Sequence, residues 1–112
     1  LLISVTNVEE ARLALENHAD ILDFKDPTQG ALGALALPTL SSLVRFVNQQ
    51  KLTSATIGDL TMTPELLIER IRQVASTGVD YVKVGFFPTD DFRPSLEACK
   101  SLNQENIRLV AV

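Results

Sequence analysis

Residues 20–27 read DILDFKDP: Asp20, Ile21, Leu22, Asp23, Phe24, Lys25, Asp26 and Pro27. The centre of the stretch has the apolar content of a buried strand, yet it carries an acid and a lysine two residues apart. Side chains two apart on a strand share a face. Asp23 and Lys25 therefore point the same way as Ile21, while Leu22 and Phe24 point the other way. One face of this strand is fit for a core, and the other holds a carboxylate and an amine.

Outward from that strand, helical and strand patterns alternate. LLISV (1–5) is a short apolar strand. Asn7 precedes a helix with Glu10 in capping-box position, and Val8, Ala11 and Leu15 form its apolar stripe. The second strand spans 20–25, followed by the turn-rich DPTQGALGA (26–34). Pro38 opens a helix striped by Leu40, Leu43, Val44 and Val47. SATIGD (54–59) is a third strand, and Thr63–Pro64 begins a helix striped by Leu67, Ile68, Ile71 and Val74. Gly78 falls where a left-handed helix end is expected. DYVKVGFF (80–87) is the fourth strand, 91–102 a helix with Asp90 and Asp91 as caps, and IRLVAV (107–112) the fifth strand.

Such alternation is the mark of βαβ units and a parallel sheet. Neither GxGxxG nor GxxxxGK[ST] occurs, so both nucleotide-binding fingerprints are missing. The evenly sized crossovers fit a parallel (β/α) barrel of the TIM type, which in full has eight strands and about 250 residues. Residues 1–112 are read as the first five strands and four helices, the N-terminal portion of one barrel domain. Leu1 in place of Met, and an RLVAV end without cap or turn, agree with a piece of something longer.

Composition narrows the function classes. The chain is 46% hydrophobic and 21% charged with a formal net charge of -4, a globular balance without the basic face of a nucleic-acid binder. No apolar run approaches the ~20 residues of a membrane helix. Cys99 is the single cysteine, and a reducing cytoplasm is expected.

YVKVGFF repeats the pattern of the opening stretch. Val82 and Val84 suit the helix side, which puts Tyr81, Lys83 and Gly85 on the other face. Alternate barrel strands feed the same interior layers, so Lys25 and Lys83 can share one mouth, with Thr56 and Gly58 on the strand between them and Asp59 at its end. Two readings stand. Asp23 could simply neutralise Lys25 as an ion pair. Alternatively, the lysines perform imine chemistry: an amine attacks a carbonyl only as the free base, which a neighbouring ammonium and dry surroundings favour. Asp23 or Asp59 could then move protons for carbinolamine dehydration. That is the equipment of a metal-free class I aldolase, and it makes the inner face an active-site wall.

ADILDFKDPTQGALGA, SATIGD and DYVKVGFF together resemble the (5-formylfuran-3-yl)methyl phosphate synthases, also called 4-(hydroxymethyl)-2-furancarboxaldehyde-phosphate synthases. The resemblance runs from the first strand to the fifth. It implies a TIM barrel that joins two molecules of glyceraldehyde 3-phosphate, releasing phosphate and water, to supply methanofuran or a related one-carbon carrier. It further implies that Lys25 forms the Schiff base, that Lys83 transfers protons and that Asp23 is the acid beside the nucleophile, with no cofactor. LTMTPELL (60–67) departs from the Gly/Pro-rich loop usual in that family. The family's later acid and lysine, and the phosphate-holding loops after strands seven and eight, are expected beyond the fifth strand.

The expected site is thus Lys25, Lys83 and Asp23 for catalysis, with Thr56, Asp59, Gly30, Gly33 and Gly85 around the substrate and no metal. Gly30 and Gly33 could admit a phosphate to backbone amides, though tight turns alone also call for glycine. A small phosphorylated carbonyl compound is the expected partner, in a homo-oligomer without nucleic acid or membrane. Another Schiff-base aldolase of sugar or triose phosphates, or a non-catalytic half-barrel that associates with a partner chain, are the competing readings.

Overall fold

The computed structural model describes residues 1–30, 32–58, 63–86 and 93–112. Asp59, residues 60–62 of the departing loop, Phe87, Asp90 and Asp91 lie outside the described residues. The elements follow as β1 (Leu2–Val5), α1 (Val8–Glu16), β2 (Ile21–Phe24), α2 (Leu37–Val47), β3 (Leu52–Thr56), α3 (Pro64–Ala75), β4 (Tyr81–Val84), α4 (Arg93–Lys100) and β5 (Leu109–Ala111). Short 3₁₀ turns occupy Pro27–Gln29 and Ser101–Glu105.

All four strand pairs are parallel, and the strand order is β1-β2-β3-β4-β5. That order decides between the two βαβ architectures. A doubly wound sheet reverses direction at a switch point and carries helices on both faces. An unbroken sequential order, with right-handed crossovers, puts every helix on one side, as in a barrel wall. Burial agrees. Leu22, Phe24, Ala55, Ile57, Val82 and Val84 form one core with Ala11, Ala14, Leu40, Leu43, Val47, Leu67, Ile71 and Val74 from the helices. The alternate positions Leu2, Leu52 and Val110 are exposed on the opposite, inner face.

Local signals explain the elements. The Asn7 side chain accepts from Glu10 N at 2.9 Å, and the Glu10 carboxylate accepts from Thr6 N at 2.7 Å, which caps α1 with its own first-turn acid. Gly78 has φ +98 and turns the chain out of α3. Pro38 stands second in α2, after Leu37. β3 begins two residues before the expected Ser54 and stops at Thr56. Its start is set by Asp80, whose carboxylate accepts from Thr53 N at 2.8 Å. Beyond its end, Gly58 at φ +94 departs from extended backbone. The last helix ends at Lys100, two residues before the expected 102, and passes into a 3₁₀ turn at Ser101. No helix among the described residues is long and apolar enough to cross a membrane.

Phe24 is fully buried between the sheet and the helices. Phe24→Ala removes its ring from that core and is expected to lower unfolding stability by about 3–5 kcal/mol, read from denaturant titration.

Candidate active site

Parallel register lines up the inner-face side chains in rows. Ser4 pairs with Asp23, Asp23 with Ser54, and Ser54 with Tyr81. Toward the C-terminal ends, Thr56 pairs with Lys83 and Lys83 with Val110. The polar residues of four strands thus meet on one wall, in the half of the sheet where barrel chemistry resides.

Asp23 is at the centre, only 1% exposed. Removing a carboxylate from water costs several kcal/mol unless donors replace the lost solvation. Here three strands supply them. Ser54 Oγ donates to Asp23 Oδ1 at 2.7 Å, Lys83 Nζ donates to Oδ2 at 3.2 Å, and Ser4 Oγ reaches the same oxygen at 3.4 Å. The Lys83 side chain is 20% exposed, so its ammonium bridges the buried carboxylate and the open inner face. Its aliphatic stem crosses β3 diagonally, since Asp23 lies two strands away and one row lower.

The ion pair therefore differs from the one considered above. Asp23 neutralises Lys83, and Lys25 makes no side-chain hydrogen bond or ion pair among the described residues. Lys25 is half-buried, one residue beyond β2, with its backbone N–H donating to Val5 O at 3.2 Å.

The loop after Lys25 is tied back to the sheet. Asp26 N donates to Gly33 O at 2.9 Å, and Thr56 Oγ1 donates to the same carbonyl at 3.0 Å. The Asp26 carboxylate caps the 3₁₀ turn through Thr28 N and Thr28 Oγ1, and those bonds hold its pKa below the ordinary carboxylate value. Gly33 is glycine for steric reasons: a Cβ there would lie 2.0 Å from the Asp26 carbonyl oxygen. Gly30 closes the 3₁₀ turn at φ +100. Both glycines have a conformational role in this loop. Thr56 is 2% exposed with its hydroxyl committed to the loop. Gly85 is buried, just beyond β4 on the Lys83 side.

Three further side chains belong to this wall, and two of them, Ser4 and Ser54, were absent from the sequence reading. Ser4 and Ser54 join Asp23. Arg108 lies with its guanidinium 5.8 Å from the Tyr81 ring centroid. The signal for the serines was the one that exposed Asp23: a polar residue at an inward position of an apolar strand. A concavity of about 810 Å³, bordered by Asp20, Arg45, Lys51 and Asp80, lies at the opposite, N-terminal ends of the strands and contains none of this constellation.

Sequential parallel strands with helices on one face, and a charged inner wall, define an α/β protein of the (β/α)-barrel class. The family model for 4-HFC-P synthase matches residues 1–112, and the chain belongs to that family. It is 35% identical over 104 residues to the (5-formylfuran-3-yl)methyl phosphate synthase of Methanopyrus kandleri, covering 93% of this chain and 44% of that protein. To the enzyme of the same name from Methanocaldococcus jannaschii it is 36% identical over 103 residues, 91% of this chain and 43% of that one. The Methanococcus aeolicus protein of that name gives 33% over 118 residues, 99% and 50%. The chain thus spans about half the length of the curated relatives it matches.

Two solved structures share the fold. PhdJ bound to substrate intermediate superposes with a TM-score of 0.62 at 23% identity, covering 93% of this chain and 34% of that one. The arginine decarboxylase of Paramecium bursaria Chlorella virus, bound to agmatine, gives a TM-score of 0.52 at 15% identity, over 98% and 38%.

Three outcomes test this geometry. Gly33→Ala drives a methyl into the Asp26 carbonyl and is expected to destabilise the protein by about 1–3 kcal/mol in a denaturant titration. Lys83→Met strands the Asp23 carboxylate and is expected to cost about 3 kcal/mol. The double change Asp23→Leu with Lys83→Met is expected to recover part of that loss, because no buried charge then lacks its partner.

Proposed function

We propose that residues 1–112 form the first half of an eight-stranded barrel synthase, with Lys25 as its imine-forming nucleophile. It condenses two molecules of glyceraldehyde 3-phosphate into a phosphorylated furan aldehyde for a methanofuran-type carrier. The observation that carries this reading is the unequal state of the two lysines. Lys83 is anchored to a buried carboxylate. Lys25, at the strand end, has no competing partner among the described residues, so its nitrogen is available for bonding.

The steps follow from those positions. The Lys25 amine adds through its lone pair to the aldehyde carbon, the carbonyl π pair moves to oxygen, and a proton passes from the new ammonium nitrogen to that oxygen, which becomes the hydroxyl of a carbinolamine. The Lys83 ammonium gives that hydroxyl a proton. The C–O bond breaks toward oxygen, water leaves, and the nitrogen lone pair closes the iminium. The Lys83 amine, left neutral by that donation, takes a proton from the adjacent carbon. The C–H pair forms the C=C bond as the C=N pair returns to nitrogen, giving an enamine, the carbon nucleophile for the second aldehyde. Asp23 keeps Lys83 directed at this chemistry whenever Lys83 is an ammonium.

The test is reductive trapping. The purified enzyme, incubated with glyceraldehyde 3-phosphate and borohydride, is expected to gain a mass adduct that peptide mapping assigns to Lys25. Lys25→Ala is expected to lose both adduct and turnover. An adduct that persists in Lys25→Ala, or active enzyme that never forms one, overturns the mechanism.

A further inference from the structure

We infer that Ser54 is a positioning residue for the proton-transfer pair: its hydroxyl fixes the Asp23 carboxylate so that Oδ2 stays turned toward Lys83. The inference rests on the reading of Lys25 and Lys83 given under the proposed function, and adds a residue which that reading does not use.

The geometry divides the carboxylate between two kinds of donor. Oδ1 accepts from Ser54 Oγ at 2.7 Å, whereas Oδ2 accepts from Lys83 Nζ at 3.2 Å and from Ser4 Oγ at 3.4 Å. The Ser54 bond has the optimal length for a hydroxyl donor, and the Ser4 contact is at the limit. Ser54 is 4% exposed and Asp23 1%, so water does not compete for Oδ1. Ser54 also cannot drift. It is the middle residue of β3, paired with Asp23 on one side and Tyr81 on the other.

This anchor matters at one moment of the reaction. While Lys83 is an ammonium, its charge alone draws Oδ2 toward it. Once Lys83 has given its proton to the departing hydroxyl, that attraction is gone and the carboxylate must be held by something else. Ser54 holds it by a bond that does not change during the step. Asp23 then remains in register to hold Lys83 when the amine is protonated again.

Ser54→Thr and Ser54→Val test the hydroxyl at equal side-chain volume. Thr is expected to keep kcat within a few-fold of the native enzyme. Val is expected to lower kcat by about 10- to 100-fold, the scale of a small misplacement of a catalytic group, with KM for glyceraldehyde 3-phosphate changed much less. Ser54→Ala, which adds no atoms, is expected to match Val and covers the case in which neither larger residue fits. Equal kcat in Thr and Val, an Ala variant with native kcat, or a loss confined to KM overturns the inference. The trapping experiment separates the two levels. A Lys25 adduct in the native enzyme with kcat indifferent to the Ser54 hydroxyl refutes positioning alone, whereas an active native enzyme without any adduct refutes the mechanism beneath it.

Discussion

A carboxylate almost sealed from solvent organises this molecule. Asp23 would be costly at its position without compensation, and each compensating donor arrives from a different strand: Ser4 from β1, Ser54 from β3 and Lys83 from β4. The requirement is geometric as well as energetic. The three donors converge only if the strands run parallel in sequential order with the observed register, since a slip of one residue would turn every inner side chain into the helix layer. Sheet topology and charge placement thus constrain each other.

The same constraint separates the roles of the two faces. The helix-facing side is apolar at Leu22, Phe24, Ala55, Val82 and Val84, and most of the burial that stabilises the wall lies there. The inner side is freed for polar groups. One lysine is restrained through Asp23, and the other leaves the strand end beside a loop pinned by Thr56. A (β/α) wall achieves this because its core and its reactive surface are opposite sides of one strand, read by alternate residues.

Much of this was legible in the sequence. The period-two pattern of ILDFK and YVKVG gave the correct faces, and the helical stripes placed α1, α2 and α3 with small errors at their ends. Pairing was less legible. From DILDFKDP alone, Asp23 and Lys25 look like natural partners, because they share a face two residues apart. Separation along one strand keeps them about 7 Å apart at the backbone, and a cation on β4 reaches the carboxylate instead. Ser4 and Ser54 went unnoticed for a related reason: a serine in an apolar strand has an evident partner only once register is known. The early start of β3 likewise depended on Asp80, 27 residues away.

The separation of Asp23 from Lys83 by 60 residues has a consequence for how the protein comes into being. When only the first three strands have emerged during synthesis, Asp23 can find its serine donors but not its counter-cation, so burying it is premature. Arrival of the fourth strand supplies the missing positive charge and, with it, the compensation for burying the carboxylate. Completion of the inner wall around Asp23 is therefore tied to a contact across 60 residues rather than to its sequence neighbours, a long-range requirement of the kind that slows folding.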